Sequence, residues 1–346
     1  MNTGAVYSLL SAALFGVSPV LAKLWIGDMS PLLLAGLLYL GSGAALHFVL
    51  LAKKQSLLAE LKALSKNHRF KLLGSIVSGG ILAPLCLAYG IKYGSAFEVS
   101  LLLNLETVAT TLIAWLVFRE HVGARAGVGM VLLVLGGIVI STAPQNGFSF
   151  SPAGLFLLGT CVFWGLDNSL TRDLDEITPS ALGSVKGWAA GLFNTALAFV
   201  LGQSSAGLWQ AAGMLGIGAV SYGVSLVLFV NALRLIGTSR TGMYFAVGPF
   251  FGMAFSVLLL GDRPALHQWG AALIMAVGLW TITRERHAHS HTHELFLHRH
   301  RHSFDEHHQH LHAGTEGPEP HDHMHTHEPM THSHSHWPDI HHRHIH

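Results

Sequence analysis

Long apolar segments and short polar segments alternate along residues 4–283. Most of the apolar segments are close to the roughly 20 residues that an α-helix needs to cross a bilayer. The pattern predicts an all-α integral membrane protein with ten transmembrane helices. The predicted spans are 4–24, 31–52, 72–92, 96–118, 126–143, 153–170, 180–201, 210–235, 241–260 and 266–283.

The composition agrees with the membrane class. Of the 346 residues 50% are hydrophobic and only 11% are charged, which excludes an ordinary soluble domain and a disordered chain. Cys86 and Cys161 both fall inside apolar segments, so the sequence indicates neither a disulfide framework nor a thiolate metal site. No nucleophile–base set or phosphate-binding loop is present, and we do not expect an enzyme.

The basic residues are unevenly divided among the predicted loops. Six of them fill the segment 53–71, and Arg119 and Arg125 lie between the fourth and fifth spans, whereas the first, fifth and seventh loops hold no Lys or Arg. Cytoplasmic loops carry the excess of Lys and Arg. The pattern therefore predicts a multi-pass protein of the cell (inner or plasma) membrane with both termini in the cytoplasm.

Two stretches of the chain resemble two others at nearly fixed offsets. LETVATTLIAWLVFRE aligns with GPFFGMAFSVLLLGD at a constant offset, which pairs Glu120 with Asp262. We call the number of residues from Glu120 to Asp262 the repeat offset. ALFGVSPVLAK and CVFWGLDNSLTR align at a slightly larger offset, which pairs Gly16 with Gly165. The alignments predict an internal duplication.

The duplication divides the chain into three parts. We expect a first five-helix repeat over 1–143, a second five-helix repeat over 144–283 and a separate tail over 284–346. Because five is an odd number, the second repeat must be inverted relative to the first. Inverted repeats are typical of secondary transporters, whose substrate sites lie near the middle of the membrane between the repeats.

The fourth and ninth spans carry a short motif. The first copy reads L-E-T-V, with Glu106 followed by Thr107, and the second reads V-G-P-F, with Gly248 followed by Pro249. Together with ten spans and the duplication, these motifs make residues 4–283 similar to EamA-type members of the drug/metabolite transporter superfamily, in which the motif resembles L-E-P-V-x-x-x-L-x-A-W. The resemblance implies a secondary transporter, often an exporter of amino acids, other metabolites or toxic compounds, driven by an ion gradient.

Glu106 is the main candidate for a site on the pathway. It lies roughly 16 Å along its helix, close to the middle of a bilayer of about 30 Å. Charge at this depth costs several kcal/mol unless it is paired, protonated or facing a wet cavity. We expect Glu106 either to contact substrate or a coupling proton, or to be the structural partner of a neighbouring helix.

Other polar or aromatic residues within the spans are weaker candidates. Asp167 either lines the pathway or pairs with Lys186 or Arg172. The full set of candidates for the substrate and ion pathway is Glu106, Asn104, Glu98, Asp167, Asn168 and Trp164.

The tail over 284–346 holds all but four of the 26 histidines of the chain, many in H-x-H pattern. With its glycine, proline and charge and almost no apolar periodicity, it is expected to be disordered. Imidazole without thiolate suits Zn, Ni, Co or Cu(II). The candidate metal ligands are His287, His289, His291, His293, His298, His300, His302, His321, His323, His325, His327, His332, His334 and His336.

Three functions remain open. The first is an ion-coupled exporter of small metabolites, amino acids or toxic compounds with a regulatory tail. The second is a divalent metal (Ni, Co or Zn) transporter that uses the tail as an ion buffer or sensor, although His47 is the only histidine well inside a span. The third is a metal-sequestering protein that transports nothing.

The expected partners follow from these functions. They are the lipid bilayer, a small-molecule substrate, divalent metal ions at the tail and a second copy of the chain in a homodimer. Nucleic acid is not expected, and no cofactor is required.

Overall fold

The helical part of the chain ends at residue 283. A computed structural model describes residues 3–118, 122–141, 151–172, 174–283, 287–293, 296–302, 321–327 and 330–336. The predicted helix-end residues Arg119 and Glu120 lie outside the described residues.

Fifteen α-helices are present in the described part of the chain. They are α1 Thr3–Gly16, α2 Ser18–Trp25, α3 Pro31–Ala52, α4 Leu57–Ala63, α5 Lys66–Ser75, α6 Ala83–Tyr93, α7 Ala96–Leu102, α8 Leu105–Phe118, α9 Ala124–Ser141, α10 Pro152–Thr171, α11 Pro179–Val200, α12 Leu208–Ile217, α13 Ser225–Phe245, α14 Gly248–Phe255 and α15 Leu266–Thr283. Three π-helices, π1 Ile76–Leu82, π2 Gly218–Val224 and π3 Ser256–Leu260, continue α5, α12 and α14.

Eight helical stretches of the described chain are long and apolar enough to cross a membrane. They are Thr3–Trp25, Pro31–Ala52, Lys66–Tyr93, Ala96–Val117, Ala124–Ser141, Pro152–Thr171, Leu208–Gly237 and Arg240–Leu260. The other two predicted spans, 180–201 and 266–283, are present as the helices α11 and α15 but are not among the eight. Polar residues such as Lys186 in α11 and Gln268 in α15 lower their apolarity. Ten membrane spans therefore remain a prediction.

Several long helices begin at a residue whose side chain caps them. Ser30, Ser151 and Thr178 each accept a hydrogen bond from a backbone N–H in the first turn, and each is followed by proline. The side-chain oxygen satisfies an N–H that has no partner within the helix, and proline suits the first turn because its missing N–H is not needed there. The helices α3 and α11 share this start and contain 22 residues each.

The helices α3 and α11 pack closely against each other through glycines. A Cβ atom on Gly43 would lie 2.8 Å from the backbone nitrogen of Trp188, and one on Gly191 would lie 2.7 Å from that of Leu40. Gly43 and Gly191 are as far apart in the sequence as Leu40 and Trp188 are, so each pair consists of equivalent residues of the two helices. The contact is therefore reciprocal, as in an interface related by a two-fold axis.

The helices α9 and α15 form a second reciprocal contact. A Cβ atom on Gly136 would lie 3.1 Å from the carbonyl oxygen of Ala271, and one on Gly278 would lie 2.9 Å from that of Gly129. Gly136 and Gly278 are separated by the repeat offset, and so are Gly129 and Ala271. In each contact, equivalent residues of the first and second halves of the helical region swap places. The two halves are therefore related by a pseudo-two-fold axis at these contacts.

Two spans are broken at related places. The break between α7 and α8 falls at residues 103–104, and the break between α13 and α14 falls at residues 246–247. The π-helices π1 and π2 begin at Ile76 and Gly218, which are again separated by the repeat offset. Discontinuous helices near the middle of a span free backbone groups for other partners.

Two glutamate side chains each cap a helix that lies far away in the sequence. Glu60 of α4 accepts hydrogen bonds from the backbone N–H of Thr178 at 2.8 Å and from its hydroxyl at 2.9 Å, at the start of α11. Glu176 accepts from the backbone N–H of Ser65 at 2.7 Å, at the start of α5, and lies 2.8 Å from the imidazole of His68. Each glutamate therefore caps a helix of the other half, where a negative charge is favoured.

Four strands are described within the unit Arg286–His346 of the chain. Its strands are β1 His287–His293, β2 Phe296–His302, β3 His321–His327 and β4 Met330–His336. Strand β1 pairs with β4 and β2 with β3, both antiparallel. The H-x-H pattern has the two-residue period of these strands, and the disorder that the sequence predicts for the tail stays a prediction.

Candidate functional site

Glu106 lies in the first turn of α8, directly after the break in its span. The Asn168 side-chain amide on α10 donates a hydrogen bond to Glu106 Oε1 at 2.8 Å and another to the hydroxyl of Thr110 at 3.3 Å. Glu106 is partly buried and Asn168 is exposed. The structure thus brings together two of the predicted pathway residues at one carboxylate.

The close crossing of α8 and α10 makes this pairing possible. A Cβ atom on Gly165 of α10 would lie 2.9 Å from the backbone nitrogen of Thr110. Gly165 precedes Asn168 by almost one helical turn, so the missing side chain lets the two backbones approach beside the amide. The glycine that the sequence alignment pairs with Gly16 therefore has a structural role beside the site.

Asp167 is buried and fully partnered. Its carboxylate forms an ion pair with Lys186 of α11 and accepts a hydrogen bond from the Ser75 hydroxyl of α5. A methyl group on Gly79 of π1 would overlap the same carboxylate. Of the alternatives raised by the sequence, the structure shows the pairing of Asp167 with Lys186, and the carboxylate is not free to bind a substrate in this arrangement.

Trp164 belongs to a hydrogen-bond network created by a proline. In a π-helix the backbone bonds connect residues five apart, so the Gly79 carbonyl would pair with residue 84, but Pro84 has no N–H. The Gly79 carbonyl instead accepts hydrogen bonds from the Tyr39 hydroxyl at 2.7 Å and from Trp164 Nε1 at 3.3 Å. The helix irregularity therefore fixes two aromatic side chains.

These rings are part of an aromatic cluster contributed by both halves. The ring centroid of Phe15 lies 6.0 Å from that of Trp164, 5.6 Å from that of Tyr222 and 5.5 Å from that of Phe245. Tyr39 and Tyr222 are 6.0 Å apart. Trp164 and Asn168 are four residues apart on α10, which places them on one helix face. The cluster and the Glu106 carboxylate thus form one candidate site between the halves.

Two predicted pathway residues lie elsewhere. Glu98, near the start of α7, accepts a hydrogen bond at 2.7 Å from the hydroxyl of Ser151, which caps α10. Asn104 is 3% exposed and donates at 2.9 Å to the carbonyl of Leu101, at the break between α7 and α8. Both make local structural contacts that complete helix ends.

The sequence reading did not place Tyr39, Phe15 or Thr110 in the site. Tyr39 and Phe15 are aromatic residues within the apolar helices α3 and α1. Nothing in their spacing distinguishes them from ordinary packing residues. Thr110 could have been found, since it lies one helical turn after Glu106 on the same face.

The side chains that the structure describes include no group of three or more His, Cys, Asp or Glu able to hold a metal ion. The side chains of the fourteen candidate histidines of the tail lie outside the described set. Metal binding by the tail therefore stays a prediction.

Comparison with known proteins identifies the family. The EamA-like transporter family matches the chain twice, over residues 2–142 and 151–284. The chain belongs to the EamA-like transporter family. This EamA-like protein is a membrane transporter and not an enzyme, as the resemblance in the motifs implies.

Relatives of this EamA-like transporter cover most of its length. An uncharacterized transporter of Methanothermobacter thermautotrophicus is 26% identical over 296 residues, 81% of this chain and 85% of that protein. The uncharacterized transporter YetK of Bacillus subtilis is 22% identical over 299 residues, 82% of this chain and 88% of that protein. A probable amino-acid metabolite efflux pump of Salmonella typhimurium is 25% identical over 292 residues, 79% of this chain and 92% of that protein.

One solved structure shares the fold of the EamA-like transporter. It is described only as the crystal structure of a protein, and it superimposes with a TM-score of 0.59 at 16% identity. The match covers 82% of this chain and 99% of the solved one. At this identity the likeness shows the fold alone.

Proposed function

We propose that this transporter exports small metabolites, amino acids or toxic compounds across the cell membrane, coupled to an ion gradient, with Glu106 as the coupling group. The observation that carries the proposal is the state of the Glu106 carboxylate. Within the described residues it is held by the neutral amide of Asn168 and has no cationic partner, whereas Asp167 has Lys186. An unpaired carboxylate at this depth is suited to exchange a proton or a cationic group.

The surroundings of Glu106 support the proposal. The aromatic cluster can receive the apolar part of a small molecule, while the carboxylate and the Asn168 amide provide polar contacts. One relative is named a probable amino-acid metabolite efflux pump. The inverted orientation of the two repeats, with both termini in the cytoplasm, is part of the same proposal, because it would allow the site to be reached from either side in turn.

The test replaces the carboxylate without changing its shape. Purified Glu106→Gln protein in proteoliposomes should lose proton movement driven by a panel of amino acids and amines, reported by an internal pH-sensitive dye. The Glu98→Gln variant is the matched control, because it removes the other carboxylate of the same span, which the structure places at a helix start. Full ion-coupled transport by Glu106→Gln would refute the proposed role.

We further propose that the tail binds divalent metal ions such as Zn, Ni, Co or Cu(II) and regulates transport. The support is the sequence itself, since the tail holds all but four of the 26 histidines and so provides many neutral imidazole ligands. Truncation after Arg286 should abolish binding of Ni or Zn in calorimetry and leave transport of metabolites present. Loss of all transport on truncation would instead favour a divalent metal transporter.

The divalent metal transporter is not better supported at present. A dehydrated metal ion needs several ligands along its path, and the described side chains contain no group of three or more suitable residues. Membership of a transporter family also argues against a protein that only sequesters metal. Metal and metabolite tolerance of cells that overproduce the full-length or truncated chain separates the three functions.

A further inference from the structure

The two broken spans meet on one side of their breaks. There α7 packs against α14, and a methyl group on Gly252 would overlap the carbonyl of Gly16 and the hydroxyl of Ser100. Ser100 is fully buried, and its hydroxyl has no hydrogen-bond partner among the described residues. This side of the site is therefore closed by tight packing of small residues.

The other side of the breaks is arranged differently. Here α8 packs against α9 and α10, and the part of α13 that follows its non-helical residue Gly237 includes Gly242, which is exposed. A Cβ atom added to Gly242 would meet no described atom within 4 Å. Asn168 is also exposed on this side. In the described chain α8 and the end of α13 form no extended contact.

Gly242 has open surroundings, as do the helical residues Gly127, Gly216 and Gly270, where an added Cβ would likewise meet no described atom within 4 Å. Glycine within a helix is less favourable than alanine, and at most helix contacts of this chain that loss is offset by close backbone approach. Gly242 has no such contact with a described residue, and its backbone is not in the left-handed region that favours glycine. The present structure gives no reason for its small size.

The duplication supplies the reason. At the repeat offset, Gly242 is equivalent to Ser100, and Gly252 is equivalent to Thr110. The packed pair Ser100 and Gly252 therefore corresponds to the pair Gly242 and Thr110, which stands open. In a protein of two repeats, exchanging the conformations of the repeats converts the open side into the closed one.

We propose that Gly242 is a closing position of the transporter. In a second state, the end of α13 packs on α8 with Gly242 against Thr110 and covers Glu106, while the contact between Ser100 and Gly252 opens. This inference rests on the proposed function, because only a transporter with alternating access needs both states. Closure excludes water from the carboxylate and commits a bound substrate to the other side.

The first experiment fills the space that closure would need. Gly242→Leu should reduce transport by about tenfold or more, since the larger side chain overpacks the closed contact and raises the free energy of that state. The same variant should not lower the Tm, because leucine is the better helix former and has open space in the present state. Gly270→Leu is the matched control, as Gly270 is also an exposed helical glycine, in α15, with no described atom within 4 Å of an added Cβ.

The second experiment detects the closed state without measuring transport. Thr110→Cys and Gly242→Cys are combined after Cys86 and Cys161 have been replaced by serine, and oxidation should form a disulfide in a fraction that grows when substrate amino acids are added. A permanent contact provides the positive control in a separate chain that keeps Cys86: with Gly159→Cys, the new Cβ atom lies 3.9 Å from that of Cys86, which suits a disulfide.

The outcomes separate the two proposals. Transport by Gly242→Leu at the level of Gly270→Leu, with no disulfide between positions 110 and 242, overturns the closing role and leaves the exporter proposal standing. A disulfide that forms readily in a chain that couples no ion to transport supports the closed state and overturns the coupling role of Glu106.

Discussion

Removing Lys186 should destabilise the transporter, because it leaves a buried carboxylate without its cation. The Asp167 and Lys186 side chains are only 9% and 14% exposed, and they form a direct ion pair. Lys186→Met leaves the Asp167 carboxylate buried, with the Ser75 hydroxyl as its remaining partner among the described residues. Methionine keeps most of the volume of the lysine side chain, so little space opens for water to replace the lost ammonium.

The expected loss follows from the cost of an unpaired buried charge. Breaking a buried ion pair by removing one partner costs about 3–5 kcal/mol, and burial of both groups means that solvent screening does not reduce this value greatly. At about 2–4 °C per kcal/mol, the Tm in detergent micelles should fall on the order of 10 °C. Thermal unfolding followed by the fluorescence of a thiol-reactive dye measures the shift.

A double variant distinguishes a lost pair from lost packing. Lys186→Met with Asp167→Asn removes both charges while keeping similar volumes, and a neutral pair of this kind is often as stable as the ion pair. The double variant should therefore regain most of the Tm lost by Lys186→Met alone. A fall of less than about 1 kcal/mol in the single variant, or no recovery in the double variant, would refute the reasoning.

Three further predictions concern named contacts. Tyr39→Phe removes the 2.7 Å hydrogen bond to the Gly79 carbonyl and should cost about 0.5–1.5 kcal/mol in thermal unfolding; no change would mean that Trp164 alone satisfies the carbonyl. Gly79→Ala places a methyl group against the Asp167 carboxylate and should cost about 1–3 kcal/mol, whereas Gly127→Ala, which meets no described atom, should not destabilise. The Ser65 backbone N–H, with help from His68, holds the pKa of Glu176 below its ordinary value of 4.5, so its contribution to stability is complete above that value and is lost as pH falls through the lowered pKa. The Tm difference between the wild type and Glu176→Gln should thus persist from neutral pH to about pH 5 and shrink on further acidification; a difference that vanishes already near pH 6 would contradict it.

The sequence predicts the membrane class of the protein and most of its spans, because a membrane helix can be recognised from the composition of a single segment. Glu106 and Asn168 could be singled out in the same way, since each is a polar residue in an apolar stretch. Their 2.8 Å hydrogen bond could not be predicted. It depends on the crossing of α8 and α10 at Gly165, and the position of a crossing is a property of two helices that no single segment contains.

The three π-helices could not be predicted from the hydropathy of the sequence. A π-helix and an α-helix of the same composition have the same mean apolarity, so the three π-helices leave no trace in the pattern. Pro84 was a visible signal of a local irregularity, but its effect on the Gly79 carbonyl requires the register of the preceding turn. For the same reason the sequence did not assign Tyr39 to the site.

The caps that Glu60 and Glu176 provide also have a consequence for the folding of the chain during its synthesis. When the ribosome has completed α5, the Ser65 N–H at its start is still without Glu176, which belongs to the second half of the helical region. Likewise, α11 begins under a cap from Glu60, so it depends on a chain already inserted. If the chain were cut in the segment 142–150, each fragment would lack a helix cap that the other provides. We therefore expect the fragments to be stable only when produced in the same cell.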